Sequence, residues 1–284
     1  RVPAGTEAKD YLEGAPREAT VLEARVSGEP GLYRRKTFGA EKLELEAALL
    51  CLHGGVGEGG GAAAVFSLLG IPATGSTLFA GAVGMDKLAF GGLMSATGIP
   101  SLPREAVSTL TAPAFDGPYI VKPRFGGSSI GIEIAEDVEA ARALAASSVH
   151  LRTGAVVEPY RPELVDLNIA FRTYPGLDAV HARARELAER VADVTRLTGI
   201  VRVDLLLDEG SGELYVNEVN SIPGALSLYL WAPQRAAATV LVDALTEARD
   251  RRVVFPQAGF GGGAALRAAG GIAGKLVGLD GPRA

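Results

Sequence analysis

Two pairs of polar residues carry the sharpest chemical pattern in this 284-residue chain. Arg202-Val-Asp204 and Glu218-Val-Asn220 flank a turn-forming run, Asp208-Glu-Gly-Ser-Gly-Glu213, so an antiparallel hairpin is expected. With a loop of Gly210-Ser211-Gly212, Asp204 falls opposite Glu218 and Arg202 opposite Asn220, all four on one face. Two carboxylates facing each other across a sheet repel. A divalent cation between them reverses that, and carboxylate and amide oxygens are hard donors suited to Mg²⁺. Arg202 beside them could stabilise developing negative charge. The same residues also fit a solvated hairpin face with a compensating arginine, so both readings stay open at this point.

A second pattern is Lys122 on a strand-like segment, followed by Phe125-Gly-Gly-Ser-Ser-Ile-Gly131. Small residues let backbone N–H groups approach an anion, and two hydroxyls add donors, which suits a flexible cover over phosphates. The order of a Walker A loop is missing, and an ordinary Gly-Ser turn would look the same. Met85-Asp-Lys87 sets another lysine on an expected helix, and its plain alternative is a surface cation. A rival reading is the Gly55-Val-Gly-Glu-Gly-Gly60 run, which formally satisfies a dinucleotide fingerprint. His53 and Glu58 put ionisable groups in that turn, and Asp86, at a plausible distance, falls in an expected helix rather than ending a strand. Hydride transfer is therefore the weakest reading. His53, His150 and His181 lack zinc spacing.

These residues need elements to hold them. Alternating segments such as 20–26 predict short strands and a hairpin before Gly39. The run 47–52 predicts a buried strand leading into His53-Gly-Gly, then a helix over 62–69 stopped by Gly70, and a helix over 77–97 ending at Gly98. Strands are expected at 119–123, 130–134, 155–158, 167–172, 200–207 and 213–219, with helices over 137–146 and 177–197. A further helical region and a glycine-rich tail from Gly259 close the chain. The domain boundary is expected near Gly98, giving 1–98 as an N-terminal α/β domain with linker and 99–284 as the second domain.

Composition narrows the classes. Nearly half the residues are hydrophobic and a fifth charged, as in a globular protein with a sizeable core, and the length suggests about two domains. A net charge of −5 gives no reason to expect nucleic acid or an anionic membrane as partner. One cysteine, Cys51, excludes an internal disulfide framework and fits a reducing compartment. Without a leader or a run of ~20 apolar residues, the cytoplasm is the expected location. Six lysines stand against 22 arginines, and Lys87 and Lys122 are two of the six, which draws both toward function.

Taken in order, these segments resemble the D-alanine–D-alanine ligases of the ATP-grasp superfamily. The matching stretches are His53-Gly-Gly-Val-Gly-Glu58, Gly70-Ile-Pro72, Thr74-Gly-Ser76, Met85-Asp-Lys87, Val121-Lys-Pro123, Gly126–Gly131, Val157-Glu158, Arg202-Val-Asp204 and Glu218–Gly224. Nine weak motifs in the right order over 47–231 make a specific signal. The resemblance implies an α/β fold with α+β elements: an ATP-grasp fold holding nucleotide between two mixed subdomains, about 99–157 and 158–284, after an N-terminal α/β domain partly missing here. It implies ATP and Mg²⁺ (two ions, with Mn²⁺ a substitute), small amino-acid substrates, and phosphorylation of a carboxylate followed by amine attack. It is compatible with a homodimer.

The implied roles fall on particular residues. Lys87 and Lys122 would hold phosphates, covered by Gly126, Gly127, Ser128 and Ser129. Glu158 would face the adenine and Asp166 the ribose, while Asp204, Glu218 and Asn220 would hold the metal ions. Arg202, Ser128 and Glu58 would serve catalysis, and His53, Gly224 and Tyr229 would lie against substrate. Tyr229 stands where the family usually has a serine contacting the acceptor, so a ligase with another acceptor, of specialised metabolism, is the alternative within the class. Gly59 also replaces a usual aspartate. The family's opening strand and glycine turn, and a lid expected near Gly176–Leu177, have no counterpart in the sequence. Mobile segments left out of the chain would explain both; a nucleotide-binding relative without activity is the other explanation.

Overall fold

The computed structural model describes residues 20–107, 112–127, 129–171 and 179–251. Three antiparallel sheets appear along the chain. The first is a meander of β1 (Leu22–Arg25), β2 (Gly31–Arg35) and β3 (Ala40–Lys42), in agreement with the alternating opening. The second has four strands in the order β4 (Glu105–Ala106), β7 (Ala155–Pro159), β5 (Tyr119–Pro123), β6 (Glu133–Ala135). The third has β10 (Leu214–Asn220), β9 (Val201–Asp208) and β8 (Leu164–Phe171) side by side. Every strand pairing in these sheets is antiparallel.

Alternation explains the third sheet. Val201, Val203 and Leu205 point to one side of β9 and are buried against Ala184, Leu187, Ala188 and Val191. Those four recur at helical spacing along α5 (Ala179–Thr195), whose opposite side carries Arg185, Glu186 and Glu189. Each fully buried Val or Leu is worth about 1.5–3 kcal/mol, so this face fixes the strand's orientation. Arg202 and Asp204 are thereby forced to the other side. In the four-stranded sheet, Tyr119 and Val121 of β5 and Ala155 and Val157 of β7 share a core with Ala141 of α4 (Val138–Ser147). The Asp137 side chain caps α4 by accepting from the Ala140 N–H at 2.8 Å.

Three local expectations are corrected. The run 47–52 is not a strand: Ala48 makes one parallel bridge to Ala73, and only Leu50 of its leucines is buried. With a single bridged residue beside it, the segment has no ladder to extend. The helix expected over 77–97 is two helices, α2 (Leu78–Met85) and α3 (Lys87–Ala96), broken at Asp86. Asp86 leaves helical geometry (φ −87°, ψ 99°) and its carboxylate accepts from the N–H groups of Leu88 and Ala89, so it caps the second helix. The glycines of 55–60 lead into helical turns through α1 (Ala62–Leu68) rather than forming a strand-to-helix phosphate turn. Gly60 has φ +94°, and a Cβ there would lie 2.4 Å from the Leu78 carbonyl oxygen. A Cβ on Gly81 would lie 2.7 Å from the Glu58 carbonyl oxygen, so these glycines allow α2 to pack against backbone.

Boundaries elsewhere move by a few residues: β6 begins at Glu133 and β8 at Leu164. The glycine-rich tail, the stretch around Gly176–Leu177 and Ser128 lie outside the described residues. Among the described residues no helix is long and apolar enough to cross a membrane.

Candidate active site

The hairpin of β9 and β10 pairs Asp204 with Glu218 and Arg202 with Asn220, as expected, but for a different reason. Near the turn the register is Leu207 with Leu214 and Leu205 with Val216, one residue away from the three-residue-loop expectation. A bulge at Asn217 restores the offset between Val216 and Glu218. The Val216 N–H donates outside the hairpin to the Pro100 carbonyl at 2.7 Å. Asn168 of β8 lies opposite Asp204, and Asp166 two places along belongs to the same face. Both are exposed.

Arg202 grips Asp204 with a two-pronged contact, Nε at 2.7 Å and Nη2 at 2.8 Å, and Asn220 Nδ2 donates to Asp204 Oδ2 at 3.0 Å. The hydrogen bonds to Asp204 hold the Arg202 guanidinium firmly protonated, and the nearby Tyr229 phenol adds to this. Glu218 is half-buried with Oε2 3.8 Å from the Lys87 ammonium. Two carboxylates and an amide oxygen on one face fit a hard divalent ion that keeps waters and phosphate in its shell. Among the described residues no group of three or more His, Cys, Asp or Glu gathers in metal-binding fashion.

Lys87, Lys122, Gly126, Gly127, Ser129, Asn217 and Glu218 line a single open cleft. The break at Asp86 puts Lys87 at the start of α3, where its ammonium donates to the Gly126 carbonyl at 2.5 Å. Burial pulls the Lys87 ammonium below the ordinary lysine range; Glu218 opposes this, while Lys122 and Arg104 reinforce it. The loop's base is clasped as well. Arg124 donates to both oxygens of Asp86 at 2.8 and 2.6 Å, and the Lys87 N–H donates to the Arg124 carbonyl at 3.0 Å.

Lys122 leaves β5 toward β7, where its ammonium meets Glu158 Oε2 at 2.7 Å and approaches Asn217 Oδ1 at 3.4 Å. Glu158 is 1% exposed, and its other oxygen lies 2.9 Å from Arg104 Nε. Its carboxylate is thus held between two cations, Lys122 and Arg104.

A second cluster sits where β10 ends. Glu58 is buried; its carboxylate accepts from the N–H groups of Gly54 at 2.7 Å and Ile222 at 3.2 Å. Its backbone carbonyl accepts from Ser221 Oγ at 2.9 Å. His53 Nδ1 lies 3.0 Å from Glu58 and 2.9 Å from the Ile222 carbonyl oxygen, and a Cβ on Gly224 would approach the same imidazole at 3.7 Å. Glu58 and His53 thus tie the chain before α1 to the residues after the hairpin. Beyond Gly224 the chain makes a left-handed turn: Ala225, Leu226 and Ser227 have φ of 49°, 50° and 48°. Such a conformation costs about 1–2 kcal/mol per non-glycine residue. It leads into α6 (Leu228–Trp231), which carries Tyr229 beside Arg202.

A family model described as the D-ala D-ala ligase C-terminus matches residues 176–247, the stretch containing the hairpin and the turn after it. A D-alanine–D-alanine ligase of Synechococcus sp. (strain RCC307) is 30% identical over 256 residues, covering 72% of this chain and 74% of that protein. The chain belongs to the D-alanine–D-alanine ligase family. A ligase of the same name from Campylobacter concisus is 25% identical over 263 residues, covering 79% of this chain and 75% of its own. Among solved structures, the D-alanine–D-alanine ligase of Coxiella burnetii superposes with a TM-score of 0.69 at 19% identity, covering 82% of this chain and 75% of that one. The Bacillus anthracis D-alanine–D-alanine ligase complexed with ATP gives a TM-score of 0.59 at 22% identity, covering 72% and 79%. The expected mixed α/β ATP-grasp fold is the fold of this ligase.

Arg104 and Asn217 escaped sequence reading. Asn217 falls on the apolar face of an ideally alternating β10 and reaches the cleft only through the bulge. A polar residue out of phase in an otherwise alternating strand is the signal that would have found it. Arg104 follows a proline in an irregular segment and carries no sequence signal.

Proposed function

We propose that this protein joins two molecules of D-alanine with ATP, through an acyl phosphate, to supply a dipeptide for peptidoglycan. The observation that carries the reading is the convergence of Lys87, Lys122 and Glu218 on one cleft, with Asp204 and Asn220 adjoining Glu218. In the first step a carboxylate oxygen of the donor attacks the γ-phosphorus of ATP and ADP leaves. In the second, the amine of the acceptor attacks the acyl carbon, inorganic phosphate leaves, and the amine nitrogen loses a proton.

Phosphoryl transfer depends on positioning and charge neutralisation, and the residues divide along those lines. Lys87 and Lys122 bind the phosphates, with the N–H groups of Gly126, Gly127 and Ser129 along the loop and Ser128 between them. Asp204, Glu218 and Asn220 would hold Mg²⁺, two ions in this reading with Mn²⁺ a substitute. Bound Mg²⁺ neutralises phosphate charge and polarises the transferred group. Arg202 is held by Asp204 with part of its guanidinium toward Tyr229, where it can stabilise the oxyanion of the tetrahedral species. Asp166 and Asn168 lie along the same face, within the run available to the ribose. Glu58 and His53 orient the backbone around Ile222 and Gly224, against which substrate would rest. The second and third sheets would be the two halves that clasp the nucleotide, with β7 completing the first of them at Pro159.

Tyr229 favours a second reading, in which its phenol beside Arg202 selects an acceptor other than D-alanine. Release of phosphate from ATP, measured with each amino acid in turn and with mass spectrometry of the product, tests both. Release dependent on D-alanine, with D-alanyl-D-alanine as product, supports the first; release only with a different amino acid moves the assignment to the second. Nucleotide binding without turnover for any amino acid would remove both.

A further inference from the structure

Arg104 is nearly inaccessible, its side chain 2% exposed, so it cannot touch a bound nucleotide. It nevertheless meets α3 and β10, which carry Lys87 and Glu218, and reaches Lys122 of β5 through Glu158 of β7. Nε lies 2.9 Å from Glu158, the carboxylate that holds Lys122. Nη2 donates to the carbonyl of Asn217, the bulged residue that restores Glu218 to its place opposite Asp204. Nη1 makes a long approach, 3.5 Å, to the carbonyl of Lys87. The guanidinium also lies over the Phe90 ring, 5.8 Å from its centre.

Each contact has a positional consequence. A bulge leaves a backbone group unpaired in its ladder, and a buried carbonyl without a donor costs free energy. Arg104 supplies that donor from the segment that enters β4, in the other sheet. The planar fork of arginine can satisfy acceptors in several directions at once, which an ammonium on a flexible stem cannot. Room for it is made by α3: a Cβ on Gly91 would lie 2.7 Å from Arg104 Cδ. We propose that Arg104 is a positioning residue, a buried strut that sets the metal-binding carboxylate Glu218 and the phosphate lysines at a fixed mutual distance. The proposal rests on the reading of this cleft as a Mg²⁺–nucleotide site.

Two variants test it, with Arg104→Lys as the conservative control. Arg104→Met removes the fork, and Gly91→Ala leaves the arginine in place but crowds its stem, on a helix that alanine otherwise favours. Binding of a fluorescent ADP analogue in the presence of Mn²⁺ is measured without amino acids, alongside steady-state kinetics and thermal unfolding. Loss of charged hydrogen bonds predicts at least about tenfold weaker Mn²⁺-dependent nucleotide binding in Arg104→Met, and a similar rise in half-activating Mg²⁺. Gly91→Ala is expected to shift both constants the same way, Arg104→Lys to recover them only in part, and the KM for amino acid to stay within about twofold throughout. Metal and nucleotide constants equal to the parent's in the folded variants, with only the melting point lowered, would overturn the proposal. Should Arg104→Met not fold, Gly91→Ala decides the matter on the same constants. Because the binding measurement needs no amino acid, parent protein inactive with D-alanine would count against the ligase reading while leaving the strut testable.

Discussion

Replacing Glu158 by glutamine separates a buried strut from an adenine contact. The carboxylate is 1% exposed and sits between the Lys122 ammonium at 2.7 Å and Arg104 Nε at 2.9 Å. Those cations have side chains only 9% and 2% exposed. Glu158→Gln keeps the shape but removes the anion, leaving Lys122 with the Asn217 amide oxygen at 3.4 Å as its remaining polar contact. Breaking a buried ion pair from one side costs about 3–5 kcal/mol. The glutamine carbonyl can still accept one hydrogen bond, which returns about 1 kcal/mol. A net destabilisation of about 2–4 kcal/mol is therefore expected. Urea unfolding without nucleotide should show a lower midpoint with an unchanged slope. The preference for ATP over GTP should stay as in the parent, since the carboxylate does not reach the base. An unfolding free energy within about 0.5 kcal/mol of the parent would refute this, because surface changes alone produce effects of that size. An altered base preference at unchanged stability would restore the adenine-facing reading.

Further consequences follow from other positions. Glu218→Gln should lower Mg²⁺-dependent activity by more than about tenfold, the lower end of what disturbing a metal site costs, with the melting curve retained; an unchanged rate removes Glu218 from the metal set. Ala225→Gly replaces an exposed residue at φ +49° and should raise the unfolding free energy by about 1 kcal/mol in denaturant titration. Although partial burial raises the Asp86 carboxyl, hydrogen bonds from Arg124 and the N–H groups of Ala89 and Leu88 hold it below its ordinary 3.8. The stabilisation from Asp86 is therefore complete above that value and lost as pH falls through the depressed one. Asp86→Asn should flatten this acid limb of the stability–pH curve, and a limb as steep as the parent's would contradict the assignment.

The legible parts of this protein were those in which residue type and local periodicity act together. Alternation in β9 and the turn residues 208–213 were enough to pair Asp204 with Glu218. That pairing came from two displacements that cancel, a turn offset by one and a bulge at Asn217, the second marked in the sequence only by a polar residue out of phase. The bulge depends on Pro100 and Arg104, more than a hundred residues earlier in the chain, which supply partners for the Val216 N–H and the Asn217 carbonyl. Asp86 looked like one more residue in a long helical stretch. Its capping of α3 and its clasp on Arg124 became visible only with both partners in place. Glycines 55–60 matched a fingerprint by spacing, yet the room they make is taken up by α2. Spacing reports which groups are available, whereas distant contacts decide where they point.

In the proposed reaction the cleft between Lys87, Lys122 and Glu218 couples ATP cleavage to the joining of two D-alanines. The most direct measurement is phosphate release from Mg²⁺·ATP with and without D-alanine, with the product weighed in the same reaction. D-alanine-dependent release is expected, with one D-alanyl-D-alanine formed per phosphate. Phosphate released at the same rate without an amino acid, or no turnover by protein that binds ATP, would contradict it.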